Sequence, residues 1–251
     1  MHEDDISHLL QGWPMQDGQV TARRITGRDG RPRIQVRIDL GLLQMEYTGR
    51  PDGARPDDCE SLLDAIEQQR DRYREANGTL TGYVITSEDC RRLRQEVVQY
   101  YHRYVALFAL QDFERVIEDT EHNLRILDLC REHGQSEHDR QILEQFRPQI
   151  IITRARALAE HAVARHQPDT ALRVLDAALE ELTAIYGEPE AQLAQRSNEI
   201  QLLRAMRDEL VPRLPASQRA ELEERLQAAL DAENFELAAI LRDELRMLGF
   251  R

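Results

Sequence analysis

The sequence predicts a mainly α-helical protein with a small antiparallel β module at its N-terminus and a helical hairpin at its C-terminus. Three observations carry this. Apolar residues alternate with period two only between Val20 and Tyr47. From Asp57 onward they recur at i, i+3, i+4 and i+7, the spacing of one buried helical face. Proline and glycine then fall at the ends of the periodic runs, where helices start and stop. The expected division is residues 1–56 as the β module, 57–211 as an α-helical body and 216–251 as the hairpin.

Asp4 to Gln11 suits a short helix ending at Gly12, before Trp13-Pro14. Val20, Ala22 and Ile25 belong to a first strand. Arg28-Asp29-Gly30-Arg31-Pro32 is its turn, because Asp and Gly both tolerate positive φ. Ile34, Val36, Ile38 and Leu40 alternate in a second strand, which Gly41 breaks. Leu43, Met45 and Tyr47 continue as a third, and Gly49 to Gly53 ends the β region. Three short strands are too few to stand alone, so one face must pack on a neighbouring helix.

Leu62, Leu63, Ile66 and Tyr73 suit a helix ending near Asn77-Gly78. Ser87 is read as the N-cap of the next, with acids in its first turn. Leu93, Val97, Tyr100, Tyr104 and Leu107 stripe that helix. After a break near Gln111-Asp112, Phe113, Ile117, Thr120, Leu124 and Leu127 stripe another, which ends before Gly134. Glu137 to Phe146 suits a short helix. Pro148 falls where the first turn of a new one would lie, with Ile151, Ala155, Leu158, Ala159 and Ala162 on its buried face. Pro168 opens a partner helix, carrying Ala171, Leu175, Ala178, Leu179 and Leu182, and Gly187 closes it. Pro189 to Leu210 reads as one long helix. Pro212 and Pro215 mark a linker. The small and large residues on the 148–187 pair resemble a tetratricopeptide repeat. The earlier pair matches less well, with Tyr104 in the place of Ala159 and Val116 in that of Ala171. Degenerate repeats and plain helical-hairpin packing both stand.

Among 251 residues, 31% are charged and 5% aromatic, with a formal net charge of −13. Such a chain is not a general nucleic-acid binder. Residues 20–56, however, hold eight arginines (23, 24, 28, 31, 33, 37, 50, 55) against four acids (29, 39, 46, 52), a local +4 that leaves −17 for the remainder. A basic module sits on an acidic protein. Arg23, Arg24, Arg28, Arg31, Arg33 and Arg37 are therefore candidate anion- or nucleic-acid contacts. On a strand, Arg33 and Arg37 share a face that the uncharged Gln35 interrupts; pairing with the acidic helical body is the alternative use of these arginines.

No run of 18 apolar residues appears, and the N-terminus opens His2-Glu3-Asp4-Asp5 instead of a signal peptide. A cytoplasmic protein with no membrane association is expected. Cys59, Cys90 and Cys130 are odd in number and widely spaced, which fits reduced thiols. All 33 basic residues are arginine, so a lysine-bearing phosphate loop is excluded in its usual form. There is no C-x-x-C pair and no H-E-x-x-H, and His161 and His166 fall on different helix faces. No metal, cofactor or catalytic residue is expected. Carboxylates lie mostly at i,i+3 and i,i+4 from arginines, as in Glu221 with Arg225, and read as solvated faces. Tyr100, Tyr101 and Tyr104, with His102 and Arg103, form the densest aromatic cluster, either core and helix–helix contact or a concave ligand surface.

The C-terminal segment is the most specific. Leu222, Leu226, Ala229 and Leu230 recur at the spacing of one buried face, and Phe235, Ala238, Leu241, Leu245 and Leu248 do the same beyond a polar turn at Asp231 to Asn234. The run Phe235-Glu236-Leu237-Ala238-Ala239-Ile240-Leu241-Arg242-Asp243 resembles the UVR motif, the short docking hairpin at the C-terminus of the UvrB helicase and in the middle of the UvrC nuclease. Residues 34–53 resemble the N-terminal region of bacterial UVR-motif proteins that carry no established activity. The helicase phosphate loop and the GIY-YIG nuclease signature of the two named families are absent.

The resemblance implies a non-catalytic adaptor that docks a protein partner through Leu222, Leu226, Ala229, Phe235, Ala238, Ala239, Leu241, Arg242 and Leu245. The partner would be a second copy or another UVR-bearing protein. A nucleic-acid- or anion-binding accessory factor using the basic β module is the alternative.

Overall fold

The computed structural model describes residues 6–15, 19–210, 216–231 and 237–242. The chain divides into two compact units, Met1–Ala157 and Leu158–Arg251. The expected fold class holds: a mainly helical chain with one three-stranded antiparallel sheet near the N-terminus.

In the first unit, a one-turn helix α1 (Ser7–Leu10) precedes β1 (Ala22–Thr26), β2 (Pro32–Ile38) and β3 (Gly41–Glu46), in sheet order β1-β2-β3. Gly30 takes φ 78° in the β1–β2 turn, as the Asp-Gly signal requires. The second turn departs from expectation. Ile38 pairs with Gly41, so Asp39 and Leu40 are the turn, and Gly41 opens β3 instead of breaking β2. Leu40, expected in the strand, stands 95% exposed at the tip. Val20 also lies outside β1 and is exposed.

The sheet packs one face on two helices, α3 (Ser87–Ala109) and α4 (Phe113–His133). Ile34 and Met45, directly opposite in register, are buried against Tyr104, Leu107 and Val116. Two further helices complete this part of the unit. α2 (Leu62–Asn77) starts at the Ser61 cap, whose hydroxyl accepts from Asp64 N, and ends at Gly78 with φ 71°. α5 (Glu137–Gln141) is followed by a separate 3-10 turn, Glu144–Phe146, where one short helix was expected. The cap of α3 is Thr86 and not Ser87: Thr86 Oγ1 accepts from Asp89 N, which frees the Ser87 hydroxyl to donate to Asp139. α6 (Arg147–Ala164) has Pro148 in its first turn, as expected.

In the second unit, α7 (Pro168–Tyr186) buries Ala171, Leu175, Ala178, Leu179 and Leu182 and ends at Gly187 with φ 65°. The stretch expected as one long helix is two, α8 (Glu190–Arg196) and α9 (Asn198–Leu210). Ser197 is extended between them, at φ −124° and ψ 116°. Its hydroxyl accepts from Ile200 N, so it caps α9 in place of continuing α8. Arg207 then bonds Glu190, 17 residues back. On a straight helix that separation would be about 25 Å, so the chain must fold back at Ser197. The last helix, α10 (Ala216–Asp231), and a helical segment at 237–242 form the C-terminal hairpin.

Candidate interaction site

Two helical segments of small residues meet in the hairpin. Ala229 on α10 is buried with Ala238 and Leu241 of the second segment, and Leu222 and Leu226 pack partly buried against them. The alanines bring the helices close because a methyl group leaves room for the facing backbone. Leu222, Leu226, Ala229, Ala238 and Leu241, all expected at a partner contact, thus pack on one another. Ala239 is half-buried and Arg242 exposed. Phe235, Leu245 and Leu248 lie outside the described residues, as do Glu236 and Asp243 of the most specific run.

Leu230 departs from its expected buried face and is 44% exposed; Leu237 is 40% and Ile240 59% exposed. Leu237 and Ile240 are one turn apart and form a second apolar stripe beside the buried one. The signal was in the sequence. A stripe of Leu237, Ala238, Ile240 and Leu241 is wider than one facing helix can cover.

Among known protein families, the UvrB/uvrC motif matches residues 217–249. The hairpin is a UVR motif. UVR motifs mediate protein interactions, and apolar side chains left outside a small hairpin core are consistent with a protein partner. No curated protein and no solved structure matches the chain.

Most of the basic module's arginines engage their own unit. Arg23 donates to Gln35 Oε1 at 2.9 and 2.7 Å and lies over the Trp13 ring, 3.8 Å from its centroid. Gln35 in turn donates to Gln44, completing a polar row across the three strands. Gln35 is 3% exposed, because the segment carrying Leu9 and Trp13 lies along this face and supplies carbonyls to Arg23 and Arg37. Arg24 pairs with Asp112 and covers the Tyr47 ring. Arg33 bridges Asp29 and Glu46, and this draws the exposed Asp29 carboxyl down to about 2, chiefly through the Arg33 hydrogen bond. Arg37 donates to the carbonyls of Ile38, Asp39 and Gly41 around the β2–β3 turn. Arg28, in the β1–β2 turn, and Arg31 are both exposed; Arg31 lines a cleft with Arg50 and Arg55, beside Glu46 and Glu60.

Among the described residues, the carboxylates read as surface include three that are buried, Glu96, Asp119 and Asp139. Glu96 is 0% exposed. It accepts from Leu62 N at 2.9 Å and Leu63 N at 3.1 Å, the first turn of α2, and pairs with His122 Nε2 at 3.0 Å and Arg50 Nε at 3.4 Å. Burial alone would raise its pKa; His122 and the two backbone donors outweigh that and hold it below the ordinary value. Asp119 makes a two-pronged bond to Arg103 at 2.8 and 2.7 Å, and Arg103 also donates to Glu46 O and Gly49 O. The tyrosine cluster divides. Tyr100 stacks on His122 at 3.7 Å, Tyr104 joins the core under the sheet, and Tyr101 is 45% exposed. With every Glu96 oxygen occupied by fixed donors, this assembly clamps α2, α3, α4 and the end of β3 together.

Cys90 and Cys130, 40 residues apart in sequence, are buried next to each other. Cys90 Sγ donates to Ile85 O at 3.9 Å, and the proximity of the two thiols lowers the Cys90 pKa and, with burial, raises that of Cys130. Sequence spacing hid this neighbour. Among the described residues, no group of three or more His, Cys, Asp and Glu side chains is placed to hold a metal, and no helix is long and apolar enough to cross a membrane.

Proposed function

We propose that the chain is a cytoplasmic, non-catalytic adaptor that docks a protein partner through its UVR hairpin. The observation that carries this reading is the pair of apolar stripes on residues 237–241. One closes the hairpin through Ala238 and Leu241; the other leaves Leu237 and Ile240 partly exposed. Exposed large apolar side chains clustered on a small element mark an interaction surface. Short helices of this kind are marginal in water by themselves, so a partner covering the second stripe also stabilises the hairpin. The resemblance favours a partner that bears a UVR hairpin of its own, either a second copy or another protein. The first unit and α7 to α9 serve as the body that carries the dock.

The reading is tested by affinity purification from the native organism with the full chain and with a chain ending at Val211, co-purifying proteins being identified in each. Recovery of a UVR-bearing protein by the full chain alone supports the adaptor. Equal recovery of the same partner by both chains contradicts it.

A further inference from the structure

A cysteine buried alone is a small apolar side chain. Two buried side by side are a dithiol, and the first unit holds such a pair in Cys90 on α3 and Cys130 on α4. The register of the two helices places them together. Asn123 Nδ2 on α4 donates to Val97 O on α3 at 3.0 Å, and further along Arg103 meets Asp119 at 2.7 Å, so the helices run antiparallel. Seven residues back from Val97 is Cys90, and seven on from Asn123 is Cys130. Seven residues make nearly two full turns, so both cysteines lie on the same facing stripes as that contact.

The helix ends that carry them are also tied through the backbone. Ile85 N, just before α3, donates to His133 O at 2.8 Å, and Gln135 N, just after α4, donates to Ile85 O at 3.0 Å. The same Ile85 O accepts from Cys90 Sγ. The two thiols also differ in acidity. The neighbouring sulfur lowers the Cys90 pKa and, with burial, raises that of Cys130, so Cys90 is the better nucleophile and Cys130 the thiol that resolves it.

We propose that Cys90 and Cys130 are an oxidation switch, closed by hydrogen peroxide into a disulfide that bolts the start of α3 to the end of α4. The Cys90 thiolate attacks one peroxide oxygen, the O–O bond breaks, and the departing hydroxide takes up the thiol proton and leaves as water. The Cys130 sulfur then attacks the Cys90 sulfenic sulfur. The S–OH bond breaks, and a second water leaves with the Cys130 proton. The two sulfurs lose two electrons and the peroxide takes them up. Both thiols are buried, so reaction passes through local opening. Cys90 is the fourth residue of α3, and helix ends open at lower cost than helix middles. Peroxide, little larger than water, enters where a bulky thiol reagent is kept out.

The test treats the full native chain with hydrogen peroxide, unfolds it in N-ethylmaleimide to block the remaining thiols, and maps tryptic peptides without reduction. The peptides 75–91 and 126–131 should appear joined, two hydrogens lighter than their sum, and dithiothreitol should part them. Closing a loop of this length should lower the unfolding constant by about 100-fold or more, read as a higher urea midpoint of Trp13 fluorescence in the oxidised chain. Recovery of Cys90 and Cys130 as maleimide adducts, their separate conversion to sulfinic acids, or a cross-link to Cys59 would each overturn the proposal. So would an oxidised chain with an unchanged midpoint. Both readouts are made on the wild type, so neither depends on a substituted chain folding.

Discussion

Replacing Glu96 by alanine removes the side chain on which the start of α2, His122 and Arg50 converge. Leu62 N and Leu63 N are then left at a buried helix end, at about 1–3 kcal/mol for each unsatisfied donor. His122 and Arg50 lose an anionic partner, and breaking one side of a buried pair costs about 3–5 kcal/mol. These effects overlap, so a loss of about 4 kcal/mol is expected for Glu96→Ala, a large part of the roughly 5–15 kcal/mol of a whole domain. Glu96→Gln keeps one acceptor oxygen and should lose about 2 kcal/mol. The chain's single tryptophan, Trp13, lies in the first unit, so urea denaturation followed by its fluorescence reports that unit alone. The pH dependence follows from the depressed Glu96 pKa. A carboxylate held low in the folded state stabilises above its unfolded value and loses that contribution as pH falls through the folded one. Stability of the first unit should therefore hold from neutral pH to about 4.5, the ordinary glutamate value, and decline below it, less steeply in Glu96→Gln. A Glu96→Ala midpoint equal to that of the wild type would refute the clamp.

Thiol titration of the native chain with Ellman's reagent should show one fast cysteine, the half-buried Cys59, with Cys90 and Cys130 reacting only on unfolding; three fast thiols would contradict the burial of the pair. Ala238→Leu should separate the hairpin's helices and lower its stability by about 1–3 kcal/mol, read as lost helix signal with the Trp13 transition unmoved. Arg37→Ala should destabilise the first unit by about 1 kcal/mol through the lost turn carbonyl bonds. If instead it leaves stability unchanged and abolishes salt-sensitive binding to an oligonucleotide, the basic module is a contact surface after all.

The sheet was legible because period two with Asp-Gly between the runs has few other solutions, and the long helices because their apolar stripes are continuous. What escaped the sequence was polar chemistry on buried faces. Glu96, Asp119, His122 and Asn123 sit inside the packing of α3 and α4, but polar residues in a helical pattern are read as solvated unless a partner is in view. Their partners lie 16 to 46 residues away. The Ser197 break was hidden similarly, since one capping hydroxyl outweighed an otherwise continuous helical run. At the hairpin, the residue types named the motif, whereas the division between Ala238 and Leu241 inside and Leu237 and Ile240 outside depended on the angle at which the helices meet.

Titration calorimetry with the partner recovered on the full chain, comparing wild type with Leu237→Glu and Ile240→Glu, measures the docking stripe itself. Both positions are exposed in the free protein, so helicity should not change on substitution. A charge buried against an apolar partner should weaken binding by at least about 30-fold, the effect of losing one strong contact. Affinities within twofold of the wild type in both variants would contradict the account and place the partner on another face.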